Sequence, residues 1–288
     1  MSNDEDYESL YSPSHWSKRL DKDVIVKNHI EFISYYSEEI LKVVPANQDI
    51  NYGNGNKQVY NIIGTDLPSD SPILFVVHGG YWQAPEITNR NMGFLSKTLY
   101  NHKIKVVPID YDQCPDVTIE EVNKEVEVAL STVLDYAITN KSRGVHLLGH
   151  SVGANMLACL FNRFINALPT EKQKMIKNVF LVCGIYDLTL LPLTTINEAL
   201  RLTEATAREL SPQFMILSSP SHIKMHVIVV ENDAPPFVDQ GKNFHGKLEK
   251  INIETAYHFI EDEDHFSVLE KLIDNDFVLT RIIMSNVN

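Results

Sequence analysis

The chain has 288 residues, of which 44% are hydrophobic and 22% charged, as in an ordinary globular protein. This composition excludes a collagen-like, coiled-coil or disordered chain. The 38 acidic and 25 basic side chains give a net charge of −13, which opposes binding to nucleic acid or to an anionic membrane. We therefore expect no nucleic-acid partner and no membrane partner.

The apolar runs, the N-terminal residues and the cysteines together indicate the compartment in which the protein is expected. The longest apolar runs, at 73–77 and 179–183, are far shorter than the roughly 18 to 20 residues of a membrane span. The first ten residues are acidic and polar, unlike a cleaved secretory signal. The three cysteines form no C-x-x-C pair and predict buried thiols in a reducing environment. We expect a cytoplasmic protein.

The chain has no linker or repeat, which predicts a single domain over 1–288, opened by a polar arm over 1–30. Short apolar runs predict six strands, at 58–63, 73–77, 105–109, 145–148, 179–183 and 226–230. Such runs are typical of a parallel sheet covered on both faces.

Helical patterns alternate with these strands. Apolar residues at spacings of three and four predict a helix from Val122 to Ala137, and a similar stripe runs from Phe266 to Ile283. The alternation predicts an α/β fold with a mostly parallel central sheet and helices on both faces. Ligands of such folds bind beyond the carboxyl ends of the strands.

The fourth predicted strand leads into a G-x-S-x-G pattern that precedes a helix start. Side chains at Gly149 and Gly153 would collide in such a sharp turn, which lifts the Ser151 hydroxyl above the sheet. The N–H of Val152 then faces a developing oxyanion. We expect His150 to contact the substrate. The alternative is an ordinary turn that contains a serine by chance.

The second predicted strand is followed by the run His78-Gly79-Gly80-Tyr81-Trp82. Adjacent glycines let a loop bring bare N–H groups to a ligand, and H-G-G after an early strand is typical of esterase oxyanion loops. We expect N–H groups of Gly79, Gly80 or Tyr81 to complete an oxyanion hole. His78 is expected to brace the loop. Trp82 is predicted to line the substrate pocket or, equally, to pack in the core.

A nucleophilic serine needs a histidine base, which follows it in the chain of α/β hydrolases. His265 lies in a polar turn before the C-terminal helix and is the predicted base. His226 and His258 lie in predicted or probable strands, and His245 lies on a presumed surface helix, so we expect structural roles for them.

The orienting acid is expected after the last predicted strand. Asp233 is the predicted acid, Glu231 is its main competitor and Asp239 is a weaker one. Two further carboxylates lie too close to the base in sequence and are expected to charge a helix start: Asp262 and Asp264.

The H-G-G-x-W and G-x-S-x-G motifs together resemble those of the kynurenine formamidase (arylformamidase) family of the α/β-hydrolase superfamily. Segments at 11–16 and 184–188 support the resemblance over nearly the whole chain. It implies an α/β-hydrolase fold with Ser151 as nucleophile, Asp233 as acid and His265 as base. It also implies hydrolysis of N-formyl-L-kynurenine in tryptophan catabolism, with no metal or organic cofactor.

Two alternative functions stay open: a small-acyl carboxylesterase with the same triad, and a non-catalytic binding protein with a hydrolase fold. The motifs do not fix the specificity residues, which we expect around Trp82 and in a possible cap over 188–221. Soluble enzymes commonly form symmetric homodimers, and a homodimer is one state that the sequence allows.

Overall fold

The computed structural model describes residues 6–287, so the ends of the predicted domain and the start of the predicted arm lie outside the described residues. The strands are β1 (Ala46–Asn51), β2 (Val59–Ile63), β3 (Ile73–Val77), β4 (Lys105–Ile109), β5 (Val145–His150), β6 (Ile176–Val182), β7 (Lys224–Asn232) and β8 (Thr255–Asp264). They form one sheet in the order β1-β2-β4-β3-β5-β6-β7-β8. The pairs β1–β2 and β2–β4 are antiparallel, and the other pairs are parallel.

The α-helices are α1 (Tyr7–Leu10), α2 (Lys22–Leu41), α3 (Ser96–Leu99), α4 (Ile119–Thr139), α5 (Val152–Cys159), α6 (Phe164–Ala167), α7 (Thr170–Met175), α8 (Asn197–Leu200), α9 (Glu204–Glu209), α10 (Pro235–Lys250), α11 (Ser267–Glu270) and α12 (Val278–Val287). Short 3-10 helices lie at Pro13–His15, Arg90–Leu95, Tyr100–His102, Leu191–Leu193 and Lys271–Ile273. Among residues 6–287, no helix is both long and apolar enough to cross a membrane.

The sheet is covered on both faces, as the apolar runs predict. Alternate residues of β3 point to opposite sides, so Phe75 packs in one core and Leu74 in the other. The predicted stripe of α4 lies in the first core, and α4 begins at Thr118, whose side chain and Glu121 form a capping box. The α/β architecture and all six predicted strands are confirmed, four of them with ends shifted by one to three residues.

The prediction of a helical stripe from Phe266 to Ile283 is wrong in one respect: the segment is not one continuous helix. It is divided into α11, the 3-10 turn at Lys271–Ile273, and α12. Between the last two, the N–H of Asp276 donates to Asp274 Oδ1 at 2.9 Å. An aspartate that bonds its own backbone two residues on favours a turn over a helix.

A row of polar side chains crosses β5, β6, β7 and β8. Asn178 Nδ2 donates to His146 Nδ1 at 3.1 Å, while Asn178 Oδ1 lies 3.3 Å from His226 Nε2. His226 Nδ1 lies 3.1 Å from His258 Nε2. Neutral rings satisfy this row, since each can donate from one nitrogen and accept at the other. His226 and His258 are therefore structural, as predicted from their strand positions.

We expect this row to make the fold acid-sensitive. Burial, and then the nearby His258, lower the pKa of His226 to about 4, whereas an unfolded histidine titrates near ~6.5. A lowered native pKa gives stability that is present above the unfolded pKa and lost as the pH falls toward the native one. Between pH 7 and pH 4.5, His226 alone should reduce the free energy of unfolding by roughly 2 kcal/mol.

Urea unfolding at both pH values tests this expectation. His226→Gln should show a smaller loss of stability on acidification than the wild type, because glutamine does not titrate. His102→Gln, at an exposed histidine, should keep the wild-type difference. An unchanged acid loss in His226→Gln would contradict the assignment.

Candidate active site

Ser151 occupies a strained turn between β5 and α5. Its backbone has φ 57° and ψ −122°, a conformation that side chains rarely adopt outside functional turns. The predicted crowding at the two flanking glycines is confirmed. A Cβ on Gly149 would lie 2.4 Å from the Gly153 carbonyl oxygen. The turn therefore depends on both glycines, and the side chain of Ser151 lies in the wall of a cavity.

Gly153→Ala is expected to destabilise the fold strongly. A Cβ there would lie 2.2 Å from the Val77 carbonyl oxygen and 2.8 Å from that of His78, and neither backbone atom can move without disturbing β3. We expect a loss of about 3 kcal/mol in the free energy of unfolding, measured by chemical denaturation.

Gly246→Ala is the matched control for this substitution. A Cβ on Gly246 meets no atom within 4 Å, and alanine favours a helix such as α10. This variant should be as stable as the wild type or up to ~1 kcal/mol more stable. Similar effects of the two alanines would contradict the crowding argument.

Asp233 and His265 form a buried pair beyond the ends of β7 and β8. His265 Nδ1 donates to Asp233 Oδ2 at 2.8 Å, and each side chain is 5% exposed or less. Glu231 is exposed and accepts the N–H of Asp262 at 2.9 Å. Asp239 lies on α10. The structure thus brings Asp233, and not its competitors, to the predicted base.

The predicted helix-start role of Asp264 also appears in the structure. Asp264 Oδ1 accepts the N–H groups of Phe266 and Ser267 at 2.9 and 2.7 Å, at the start of α11. Its other oxygen accepts from Arg19 Nε at 2.7 Å. Both carboxylate oxygens of Asp264 thus accept hydrogen bonds from groups other than the imidazole of His265.

A cavity of about 450 Å³ lies above the ends of the strands. The predicted residues in its wall are Gly79, Gly80, Tyr81, His150, Ser151 and His265. The remaining wall is mainly apolar and includes Ile87, Met92, Ile196 and Leu269. Such a wall suits an aromatic or aliphatic ligand with a few polar contacts.

The loop after β3 lies directly against the serine turn. A Cβ on Gly79 would come within 3.0 Å of Ser151 Cβ, so only a bare backbone fits there without displacement. Gly80, with φ 104°, and Tyr81, with φ 48°, continue the loop in left-handed conformations. Within residues 6–287, the N–H groups of Gly80, Tyr81 and Val152 have no hydrogen-bond acceptor. They are available to a ligand oxygen.

His78 braces this loop, as expected. Its Nδ1 lies 2.8 Å from the Gly79 carbonyl oxygen, and its Nε2 lies 3.3 Å from Asp110 Oδ1. The ring is buried and stacks on Tyr111 at 4.4 Å between centroids. The loop is thereby attached to the chain that follows β4.

Two residues predicted to contact the substrate have different positions. His150 lies in the cavity wall, where its Nε2 donates to the His265 carbonyl oxygen at 2.8 Å. Burial, and then the charge of His265, hold the pKa of His150 well below its usual range. Trp82 does not line the cavity; it is 0% exposed and packs in the core, so its predicted place in the pocket wall is corrected.

The N-terminal residues and the segment after β6 complete the cavity wall. The wall includes Tyr11 and Pro13 from the predicted arm, and Thr195 and Ile196 from the predicted cap. Tyr81 Oη donates to the Tyr11 carbonyl oxygen at 2.6 Å, which joins the arm to the oxyanion loop. The sequence predicts this segment as an arm or a cap-side segment, but no pattern in it pointed to particular residues of the cavity wall.

One group of residues in the described part of the chain has the spacing of metal ligands. Atoms of Cys183, Asp233 and His265 lie within 4.8 Å of one another. A metal needs the thiolate, but burial and then Asp233 raise the pKa of Cys183 well above its usual range. His265 Nδ1 already bonds Asp233. The group is therefore a bonded carboxylate–imidazole pair with a buried thiol beside it. Sequence reasoning did not identify Cys183.

A family model described as the alpha/beta hydrolase fold matches residues 74–269, which is more than half of the chain. A solved structure from Silicibacter sp. TM1040 superposes with a TM-score of 0.78 at 22% identity and covers 96% of this chain and 98% of that one. The sheet order, the turn at Ser151 and these matches define an α/β hydrolase.

Two curated relatives narrow this class. The kynurenine formamidase of Salmo salar is 30% identical over 291 residues, which cover 98% of this chain and 96% of the relative. The kynurenine formamidase of Danio rerio is 30% identical over 298 residues, which cover 100% of this chain and 97% of the relative. The chain belongs to the kynurenine formamidase family, as the sequence resemblance predicted.

Proposed function

We propose that the chain is a serine hydrolase that cleaves the formamide of N-formyl-L-kynurenine to L-kynurenine and formate. The observation that carries the proposal is the 2.8 Å bond between His265 Nδ1 and Asp233 Oδ2, beside a cavity that Ser151 also lines. The substrate is proposed from the names of relatives that share 30% identity over nearly the whole chain.

In the first half of the reaction, Ser151 attacks the formyl carbon while His265 Nε2 takes the hydroxyl proton. Asp233 orients the imidazole and stabilises its charged form. The unpaired N–H groups of Gly80, Tyr81 and Val152 stabilise the oxyanion. His265 then protonates the aromatic amine, the C–N bond breaks, and kynurenine leaves.

In the second half, water attacks the formyl-serine ester. His265 takes a proton from this water and returns it to the oxygen of Ser151 as formate leaves. An aromatic amine leaves more readily than an alkyl amine. This site therefore need not have the catalytic power of a protease active site. The apolar cavity wall suits the aromatic leaving group, and the close approach of Gly79 to Ser151 suits a very small acyl group.

The closest alternative is a carboxylesterase that uses the same three residues on short acyl esters. Steady-state hydrolysis of N-formyl-L-kynurenine and of p-nitrophenyl acetate separates the two. We expect kcat/KM for the formamide above roughly 10⁴ M⁻¹s⁻¹, and higher than for the ester. A formamide value orders of magnitude lower, with rapid ester cleavage, would favour the esterase. Inertness toward both would favour the binding protein.

We also propose that the protein acts in the cytoplasm. The support is that Cys114, Cys159 and Cys183 are all free thiols, as a reducing compartment would keep them. The homodimer stays a prediction.

A further inference from the structure

His29 is a buried side chain in the cavity wall that the proposed mechanism does not use. It lies on α2, is 4% exposed, and its Nδ1 donates to Glu270 Oε1 at 2.8 Å. Within residues 6–287, its second ring nitrogen, Nε2, has no hydrogen-bond partner. A ring nitrogen without a protein partner, on a residue that lines the cavity, is a candidate ligand contact.

The groups behind His29 are two carboxylates that share one guanidinium. Arg19 bridges two carboxylates, with Nε donating to Asp264 at 2.7 Å and Nη1 to Glu270 at 2.9 Å. Burial alone would raise the pKa of Glu270, but hydrogen bonds and charge from His29 and Arg19 outweigh it and leave that pKa below its usual range. Two carboxylates then face one guanidinium, so these three groups carry a net negative charge beside His29.

The rest of the described cavity wall offers a ligand no comparable cation. The wall contains no lysine or arginine. His265 belongs to the proposed triad, and His150 is held neutral by burial with its Nε2 bonded to a carbonyl oxygen. The exposed carboxylate of Glu86 lies in the same wall and suits an ammonium group. A ligand that carries both a carboxylate and an ammonium group therefore has one partner for each: His29 for the carboxylate and Glu86 for the ammonium group.

We propose that His29, protonated against Glu270, binds the carboxylate at the amino-acid end of the substrate and so selects charged formanilides over uncharged ones. This inference rests on the proposed function, because it assigns one end of the proposed substrate. Charge-assisted hydrogen bonds of this kind are about twice as strong as neutral ones and fix orientation.

The test compares three substrates that share the reacting formanilide. N-formyl-L-kynurenine carries both charges, N-formylkynuramine lacks the carboxylate, and 2-formamidoacetophenone lacks both charged groups. His29→Phe keeps an aromatic ring against Phe266, whose centroid lies 5.3 Å from that of His29, but removes the donor. We expect it to lower kcat/KM for N-formyl-L-kynurenine by about 10- to 100-fold, mainly through KM, and to change the other two substrates less than about twofold.

Two further variants make the result interpretable. Lys27→Gln removes an exposed charge from the same helix and should leave all three substrates unchanged, since its side chain is 81% exposed. His29→Gln retains a neutral N–H donor and should lie between the wild type and His29→Phe, and it replaces that variant if the latter does not fold. A thermal melt reports whether each variant is folded.

Three results would overturn the inference: an equal loss on all three substrates, no loss on N-formyl-L-kynurenine, or a loss shared with N-formylkynuramine, which would indicate an ammonium contact. A wild-type enzyme that prefers 2-formamidoacetophenone would also overturn it while leaving the formamidase proposal intact. A wild type that cleaves none of the three would instead refute the proposed function, and this inference with it.

Discussion

Ser151→Ala is expected to lower kcat for N-formyl-L-kynurenine by about 10⁴-fold or more. The substitution removes the only atom that the proposed mechanism uses as nucleophile, and no covalent formyl intermediate can then form. The fold should persist, because the flanking Gly149 and Gly153 that permit the turn are unchanged. Steady-state kinetics measure the loss, and a thermal melt verifies that the variant is folded.

Ser285→Ala is the matched control for this loss. Ser285 is exposed on α12, donates to the Ile282 carbonyl oxygen and does not line the cavity. Its replacement should leave kcat and KM within about twofold of the wild type. Near-normal turnover by folded Ser151→Ala would refute the nucleophile assignment, whatever the control shows.

Asp233→Asn is expected to lower kcat by about 10⁴-fold, an effect comparable to that of losing the nucleophile. An amide can present N–H to His265 Nδ1, which fixes the ring in the wrong tautomer and removes the charge that stabilises the imidazolium. The 2.8 Å distance between these side chains leaves no room for water between them. Steady-state kinetics on N-formyl-L-kynurenine measure the effect.

Glu231→Gln is the comparison that decides between the two candidate acids. Glu231 lies two residues earlier, is exposed, and bonds only the backbone N–H of Asp262 in the described part of the chain. Its neutralisation should leave kcat within about twofold of the wild type. If Glu231→Gln were the damaging substitution and Asp233→Asn the mild one, the acid would have to be reassigned.

Local sequence signals predicted much of this architecture. The strands β3 and β4 match the predicted ranges residue for residue, because every position is buried and the only polar residue, Lys105, stands at the start of β4. The glycines around Ser151 were predicted from the geometry of one turn, which depends on neighbouring residues alone. The polar edge strand β1 was missed, since its sequence contains only two apolar residues and much of it is exposed.

Features that depend on distant contacts could not be predicted in the same way. Asp233 and Glu231 are both acidic and both follow the predicted strand at 226–230. In the structure Glu231 lies within β7, and the contacts between β7 and β8 decide which carboxylate meets His265. The motif around Trp82 does not show whether the indole ring lies in the cavity wall or in the core. His29 and Glu270 lie 241 residues apart, so no local pattern joins them.

The central claim is that Ser151 is the nucleophile for hydrolysis of N-formyl-L-kynurenine, and active-site labelling tests it most directly. The protein is titrated with a fluorophosphonate, and the labelled residue is located by peptide mass spectrometry while formamidase activity is followed on the same samples. We predict a single adduct on Ser151 whose stoichiometry matches the loss of activity, with substrate slowing both. An adduct on another residue, or full formamidase activity after complete labelling of Ser151, would contradict the account.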